Sequence, residues 1–432
     1  GSSGGGSSGG SSGGASSSGS GSSDGSGSAD SGSDTGGVDP TPILEREPAI
    51  SHACSEQRPM TLLPGTDSSR VSGLVAVGEQ FFAVQWAEDL TVASLGLDGT
   101  VGDPRVLQTM FEARVPTAVA VGEELAVVWT ALGVPEQLRF ARLDATLQDV
   151  VAPHAIAPTQ DIHVNVAGLL PHDDGFALLF ASSGDDGDTQ LRLVLLDGDG
   201  EPSGDAVDLA ALGPAYGNVT AAIAPLSDGG FGVAYVHGDE QGNEVAYLAL
   251  DADGTARGDA VRVSSPAGEG VSAGFGPEPR PVLLPVGDAL WLVFSEGVTD
   301  QVAMQGSSTI KLAVLDADGS AAVHDVQAPV EGIENVWPSL LAFDDRVGLS
   351  WTSGTIIWVC GGCIGDHDLH FVLLDPDAIV PASEVVTQLH DTNGIVGPLL
   401  ATHAPDLLTA ASLDFHALTR AASGALRCEP SP

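Results

Sequence analysis

The sequence predicts an all-β fold, a seven-bladed β-propeller with four antiparallel strands in each blade. Three observations lead to this prediction. Two apolar strands around a polar turn recur seven times, at intervals of about 45–60 residues. A third apolar strand containing Leu-Asp follows most copies, and helical periodicity is nearly absent. Units of this kind bury their faces by stacking side by side in a ring.

The first two strands of each repeat form a predicted hairpin. The copies are VAVGEQFFAVQW (75–86), VAVGEELAVVW (119–129), LLPHDDGFALLF (169–180), IAPLSDGGFGVAY (223–235), LLPVGDALWLVF (283–294), LLAFDDRVGLSW (340–351) and PLLATHAPDLLTAAS (398–412). Six of them end in an aromatic residue: Trp86, Trp129, Phe180, Tyr235, Phe294 and Trp351. We expect these rings to fill the spaces between blades, where one buried ring contributes on the order of 3 kcal/mol.

The third strand leads into segments such as LALDADG (248–254) and LAVLDADG (312–319). Closely spaced Asp residues before Gly are also found in calcium loops, which need a closing carboxylate. An EF-hand count places Arg262 and Gln327 where the closing Glu belongs, and an integrin-type count places Arg257 and Ala322 where an Asp belongs. Asp-Gly between apolar strands favours a tight turn, so we interpret these segments as turns and predict no cofactor.

The seventh repeat ends without a strand after its third one, whereas an extra strand-like segment, EPAISHACSEQRPMTLLPG (47–65), precedes the first repeat. We predict that residues 59–63 supply the outer strand of blade seven and close the ring. This pairing brings Cys54 towards Cys428, so we predict a disulfide between them. In the chain-entropy model a bridge across a loop of this length stabilises by up to about 5 kcal/mol.

The N-terminal segment is unlike the rest of the chain. Residues 1–37 are almost wholly Gly, Ser and Asp, and they have nothing to bury. We therefore predict a disordered tether over 1–47 and one propeller domain over 48–432. A cloning linker is the alternative interpretation of the tail. No run of 18 apolar residues exists, so we expect no transmembrane helix.

The pattern "GF-x-V-x-W, then LDADG-x-x-x-G" resembles the repeats of secreted bacterial β-propeller-like surface proteins over about residues 60–428. The tail resembles the tether that follows the lipidated cysteine of bacterial envelope lipoproteins. The resemblance implies an extracellular, outer-surface or periplasmic location, with a possible lipid anchor upstream of residue 1. It carries over no catalytic residue. The Trp-Asp signature of WD repeats and the S-x-D-x-G-x-T-W box of sialidases are absent from the sequence.

The charge balance excludes some partners. Asp and Glu number 58 against 15 Lys and Arg, which gives a formal net charge of −43. This field repels nucleic acids and anionic lipid surfaces, so neither is a predicted partner. We predict a soluble monomer whose partner is an unidentified protein or glycan.

One segment, WVCGGCIGDHDLH (358–370), offers several chemically active side chains. Three interpretations remain open. We favour a local Cys360–Cys363 disulfide in an inserted loop; the alternatives are a zinc site formed by Cys360, Cys363, His367 and His370, and a redox-active C-x-x-C. Strand alternation puts the two histidines on opposite faces, which disfavours joint ligation.

Four glutamates, Glu278, Glu296, Glu331 and Glu334, fall near predicted loops that could line one face of the ring. A pair of carboxyl groups there would suit glycoside hydrolysis. The strings that match G-x-S-x-G, GVSAG (270–274) and several in the Gly/Ser-rich tail, are not followed by a helical pattern as a nucleophile elbow requires, and we predict no catalytic residue.

The functional prediction is therefore a non-catalytic interaction module, outside the cell or on its surface, that binds a protein or glycan through the loops of one face. The alternatives are an extracellular hydrolase acting on polysaccharide and a structural or metal-binding envelope protein. The enzyme question stays open at this point, because fold alone does not determine function.

Overall fold

The structure is a computed structural model. The compact unit Val38–Pro432 contains the propeller, and the unit Gly1–Gly37, which holds most of the predicted tether, lies outside the described residues. The structure describes residues 39–431 except 68–69, 110–112, 134–135, 157–162, 185–187, 215–219, 240–241, 265–279, 301–304, 317–318, 358–362, 384, 391–394 and 416–417.

Seven antiparallel sheets form the seven predicted blades, and in the first six the strands follow the chain from the axis outwards. Blade one contains β2 (Arg70–Val77), β3 (Gln80–Trp86), β4 (Leu90–Leu95) and β5 (Arg105–Gln108). Blade two contains β6 (Ala113–Val121), β7 (Glu124–Ala131), β8 (Gln137–Asp144) and β9 (Asp149–Ala155). Blade three contains β10 (His163–His172), β11 (Gly175–Ser183), β12 (Asp188–Leu196) and β13 (Val207–Pro214).

The remaining blades repeat this arrangement. Blades four to seven contain β14 (Ala221–Pro225), β15 (Phe231–Asp239), β16 (Gly242–Leu250), β17 (Val261–Arg262); β18 (Val282–Val286), β19 (Ala289–Asp300), β20 (Gln305–Leu315), β21 (Ala321–Asp325); β22 (Glu334–Phe343), β23 (Arg346–Ile357), β24 (Cys363–Asp375), β25 (Val380–Pro381), β26 (Val386–His390); β27 (Ile395–His403), β28 (Asp406–Phe415), β29 (Leu418–Pro430) and β1 (His52–Asp67). In blade six the outer edge is in two pieces, because β25 and β26 both pair with β24.

The innermost strands contact one another in a closed cycle, β2–β6–β10–β14–β18–β22–β27 and back to β2. The ring closes as predicted, since β1 pairs antiparallel with β29 and becomes the outer strand of blade seven. Cys54 lies opposite Cys428 in this pairing, and the predicted disulfide between them is present, across a sequence separation of 374 residues.

Most of the core lies between neighbouring blades. Trp129 and Trp351 have no exposed surface, and Phe180 is 1% exposed. Each ring packs in a cluster that spans two blades, as in the case of Trp351, which packs with Trp291 and Ile310 of blade five. The sequence pattern therefore located the residues that hold the blades together.

The ring has two different ends. At the turn end, connections join the first strand of a blade to the second and the third to the fourth, and the tight Asp-Gly turns lie here. Gly254 has a φ of 84° and its N–H donates to the carbonyl oxygen of Asp251 at 2.9 Å, so this segment forms the predicted turn. At the loop end, connections join second to third strands and each blade to the next.

Residues 39–47, which the sequence analysis assigned to the tether, belong to the compact unit. A 3-10 helix over Ile43–Glu45 places the Ile43 side chain, with no exposed surface, in the core between blades five and six. The Leu44 N–H donates to Val326 O at 3.0 Å. The Arg46 side chain donates to Ile379 O at 3.1 Å. The short apolar pair in Thr-Pro-Ile-Leu is what anchors this segment.

In the part of the chain that the structure describes, no helix is long and apolar enough to cross a membrane.

Candidate functional site

Buried carboxyl groups are concentrated at the loop end. Glu136, Glu296 and Glu334 come from blades two, five and six, and they are 6%, 7% and 2% exposed. Glutamate is rarely buried unless it is paired, because desolvating a carboxylate is costly. We therefore take these three residues, and the groups around them, as the starting points for a functional site.

Glu334 is the first residue of β22, the innermost strand of blade six. The next residue, Asn335, is fully buried and is hydrogen-bonded to Ser308 of blade five three times. Its N–H donates to Ser308 Oγ at 2.7 Å, its Nδ2 donates to Ser308 O at 2.6 Å, and its carbonyl accepts from Ser308 Oγ at 2.9 Å. Gln327 Nε2 donates to Asn335 Oδ1. This network fixes the backbone of Glu334 relative to blade five.

Because Asn335 faces blade five and successive side chains of a strand alternate, Glu334 points to the other face, towards blade seven. Glu296 points elsewhere. Its partner Lys311 lies opposite Phe294 across the strand pair, and Phe294 packs with Tyr247 of blade four. Glu296 and Glu334 therefore face different neighbouring blades and do not form a pair of carboxyl groups. Glu331 is an exposed loop residue, and Glu278 lies outside the described residues.

Glu296 belongs to a charge cluster around the single lysine of the chain. Lys311 Nζ lies 3.3 Å from Glu296 Oε2 and 2.7 Å from Asp325 Oδ1. Burial alone would lower the pKa of Lys311, but its hydrogen bond to Asp325 and the charges of Glu296 and Asp325 raise the pKa above its usual value. Lys311 stays charged and holds Glu296 as an ion pair, which suits a supporting role better than proton transfer.

Glu136 joins blade two to blade three. Its Oε2 accepts the Val164 N–H at 3.0 Å, and its Oε1 lies 3.4 Å from Nδ1 of His163, an exposed residue. The neighbouring Thr130 Oγ1 donates to Val164 O at 3.0 Å. Glu136 thus completes the hydrogen bonding at the start of an inner strand.

His370, one of the predicted metal candidates, lies in the interface between blades five and six. Its ring stacks on Trp351 with centroids 4.8 Å apart and planes 5° apart, and its Nε2 lies 2.7 Å from Ser353 Oγ. Burial lowers the pKa of His370 to about 4, so the imidazole is neutral at neutral pH.

The other metal candidates are not tested by the geometry. Cys360 lies outside the described residues, as do the side chains of Cys363 and His367. The segment from Cys363 onwards is strand β24 and continues a hairpin with β23, so residues 363–370 are not the inserted loop that we expected. Among the side chains that the structure describes, no three His, Cys, Asp or Glu residues come together.

Sequence reasoning missed two features of the loop end. One is the Asn335–Ser308 network, because a buried Asn has no periodic signature. The other is Trp337, whose φ of 51° lies in the left-handed region. Its signal was present in the sequence: Trp-Pro comes just before the sixth predicted hairpin, at the point where the strand bulges.

No protein-family model matches this sequence, and no curated protein matches it. Solved structures do match in fold. A puromycin-hydrolysing peptidase from Mycobacterium tuberculosis is 16% identical, with a TM-score of 0.48, over 80% of this chain and 49% of its own. This chain therefore spans about half the length of that peptidase. An α-L-arabinofuranosidase from Fusarium graminearum is 11% identical over 73% of this chain and 93% of its own, with a TM-score of 0.46. A polysaccharide lyase is 8% identical over 85% and 90%, with a TM-score of 0.46.

Arabinofuranosidases and xylosidases, several described as family-43 glycoside hydrolases, are among the other matches. This comparison corrects the main functional prediction. The prediction of a non-catalytic interaction module is wrong, because the matching proteins are named as enzymes. The alternative prediction, a polysaccharide hydrolase, agrees better with these matches. At these identities and TM-scores, the matches transfer no residue and no substrate to this chain.

Proposed function

We propose that this protein hydrolyses glycosidic bonds of an uncharged polysaccharide, with Glu334 as one of the two carboxyl groups that the reaction uses. Glycoside hydrolysis needs a carboxylic acid that protonates the leaving oxygen and a carboxylate that attacks or activates water. The observation that carries the proposal is the placement of Glu334, a carboxyl group 2% exposed at the loop end of an innermost strand.

The surroundings of Glu334 support a catalytic group that is held in place. Asn335 is tied to Ser308 by three hydrogen bonds of 2.6–2.9 Å, so β22 is fixed against blade five at this point. A catalytic carboxyl group has to be held within a fraction of an ångström of its working position. A rigid strand start, rather than a flexible loop, provides such support.

The charge of the protein narrows the substrate class. A formal net charge of −43 repels polysaccharides that carry uronate or sulfate groups. Several of the matching structures are named for activity on arabinose- or xylose-containing substrates, which are neutral sugars. The charge argument rests on the sequence of this chain alone.

We also propose that the protein works outside the cytoplasm on an N-terminal tether, with a lipid anchor upstream of residue 1. The Gly-, Ser- and Asp-rich composition of residues 1–37 supports the tether. The Cys54–Cys428 disulfide supports an oxidising location, since such bonds are rare in the cytosol. Lipid labelling and fractionation of the expressed precursor would test both points.

The activity test uses arabinan and xylan as neutral substrates, with alginate and pectate as anionic ones. We expect new reducing ends from a neutral polysaccharide, without the ultraviolet absorbance of the unsaturated product that a lyase would release. Glu334→Gln should lower the rate by about a hundredfold or more, because an amide neither donates nor accepts a proton in the reaction. Glu331→Gln, an exposed residue three positions away, is the matched control and should keep full activity.

Thermal unfolding of each variant separates loss of chemistry from loss of fold. A folded Glu334→Gln protein with wild-type activity would exclude the assigned role of this residue. Absence of hydrolysis on every polysaccharide tested would reject the proposed function itself.

A further inference from the structure

Trp337 has a strained backbone in the innermost strand of blade six. Its φ of 51° lies in the left-handed region, which bulky residues avoid. The residue belongs to a β-bulge, because the strand register passes from Val336 opposite Thr352 to Ser339 opposite Ser350. Strained residues and bulges are both enriched at functional sites, where the surrounding structure holds them in place.

The propeller repeat itself does not require an aromatic ring at this position. Four other inner strands have a bulge at the corresponding point, in blades one, two, three and seven. The residues within those bulges are small, aliphatic or proline: Ser72, Val115, Pro116, Ala167, Gly397 and Pro398. Blade six differs from these four in carrying a tryptophan there.

Trp337 is also not a core residue of the usual kind. Trp86, Trp129, Trp291 and Trp351 belong to the hydrophobic clusters between blades. Among the clusters formed by the described residues, none includes Trp337, which is half-buried. One edge of β22 is bonded to β23, and the other faces the ring axis. The backbone at Trp337 therefore lies beside the axis near the loop end, and its half-buried indole is outside the clusters that join the blades.

We propose that Trp337 is the surface on which a sugar ring of the polysaccharide stacks, beside Glu334. The negative face of an indole attracts the weakly positive C–H groups of a sugar, and it disfavours sugars that carry anionic groups. Three residues along a strand span about 10 Å, so a glycan chain stacked on Trp337 reaches Glu334 with a neighbouring unit. This inference rests on the proposed function for the role of Glu334, but stacking itself does not require hydrolysis.

The first test measures binding rather than turnover. Affinity electrophoresis in gels containing arabinan or xylan gives a dissociation constant without any chemical step. Trp337→Leu should bind about tenfold more weakly than wild type, whereas Trp337→Phe, which keeps an aromatic face, should stay within about threefold. Trp86→Phe, a half-buried tryptophan packed in blade one, is the control and should bind like wild type.

A second measurement uses the wild-type protein and does not depend on a folded Leu variant. A saturating oligosaccharide from the bound polysaccharide should shield one tryptophan from acrylamide quenching, and this protection should be missing in Trp337→Phe. Equal binding by folded Trp337→Leu and wild type would overturn the inference, as would protection that persists in Trp337→Phe. Failure of the wild-type protein to bind any neutral polysaccharide would overturn it as well.

The same experiments keep this inference separate from the proposed function. Binding that depends on Trp337, with no hydrolysis of any substrate, would reject the hydrolase proposal and leave the stacking site standing. Hydrolysis that depends on Glu334 but is unchanged in Trp337→Leu, in both KM and kcat, would reject the stacking site and leave the hydrolase standing.

Discussion

The turn end and the loop end of the ring treat their polar groups in opposite ways. At the turn end, acidic side chains are exposed and bond to their own turn: Asp144 Oδ1 accepts the Thr146 N–H at 2.8 Å and the Thr146 hydroxyl at 2.7 Å. At the loop end of blades five and six, Asn335, Ser308 and Glu334 are buried and bond between blades or face another blade. The polar side chains at the turn end are hydrogen-bonded within their own turn, whereas those at the loop end depend on partners in neighbouring blades.

This difference indicates that the two ends of the ring respond differently when one of their polar side chains is removed. An exposed turn that satisfies its own carboxylate stabilises its hairpin and makes no demand on the rest of the ring. A buried polar network is costly unless every member is bonded, and it specifies one arrangement of the strands that carry it. We therefore expect substitutions at the loop end to have large effects and substitutions at the turn end to have small ones.

The largest effect is expected from Asn335→Ala. The change leaves Ser308 O and the Gln327 side chain without their Asn335 partners in a buried site, at about 1–3 kcal/mol for each lost bond. The free energy of unfolding, from urea titration, should fall by roughly 2–5 kcal/mol. The matched change at the turn end is Asp253→Ala, which removes a 2.9 Å bond from the Thr255 N–H at an exposed site. Equal losses for the two variants would remove the contrast between the ends.

A smaller, pH-dependent effect is expected at His370. Burial lowers the pKa of His370 from 6.5 to about 4 in the folded protein. Above the unfolded pKa the imidazole is neutral in both states and contributes nothing. As the pH falls from about 6.5 to 4, the unfolded state gains a proton that the folded state does not, so stability is lost, by roughly 3 kcal/mol in total.

The prediction for His370 is checked by comparing how steeply the free energy of unfolding falls with pH in wild type and in a variant. Trp351 stacks on this ring, so His370→Phe keeps an aromatic partner while it removes the titration. The variant should lose less stability than wild type between pH 7 and pH 4, whereas replacing the exposed His403 by Asn should leave the wild-type slope. Parallel curves for wild type and His370→Phe would show that burial does not disfavour the charged imidazole.

The two ends also differ in how far the sequence predicts them. Repeats, aromatic residues such as Trp129 and the Asp-Gly turns are local or periodic signals, so the sequence predicts the blades, their closure by β1 and the turn at Gly254. The loop end depends on pairs distant in sequence. The sequence around Ser308 does not indicate that this residue is hydrogen-bonded to Asn335. The face of the strand on which Glu334 lies follows from the blade that Asn335 contacts, so it cannot be predicted either.

The N-terminal segment shows the same limit. Its composition predicts the low-complexity part, but Ile43 is a single apolar residue whose burial depends on a gap between blades five and six. The Gly/Ser-rich composition ends at residue 37, just before the compact unit begins, so the predicted extension of the tether to residue 47 comes from missing the burial of Ile43 and not from composition.

The smallest effect is expected from calcium, which tests the turn end directly. The carboxylates of the Asp251 turn are already occupied: Asp253 Oδ1 accepts the Thr255 N–H at 2.9 Å, and Arg257 lies 2.8 Å from Asp251 and 2.6 Å from Asp228. Hydrogen bonds from Thr255 hold the pKa of Asp253 below its usual value, which is stabilisation without a metal. Calcium binding there would have to break these contacts and leave Arg257 beside a cation.

The acidic surface can attract calcium only diffusely, and at 0.15 M salt that attraction is screened over about 8 Å. A specific site would instead stabilise the folded state by about 2.7 kcal/mol at a hundredfold excess over Kd. We therefore expect millimolar calcium in 0.15 M sodium chloride to leave the Tm of wild type and of Asp253→Asn nearly unchanged. A saturable rise in Tm that Asp253→Asn abolishes would show that the turn end holds a ligand, and the contrast with the loop end would no longer stand.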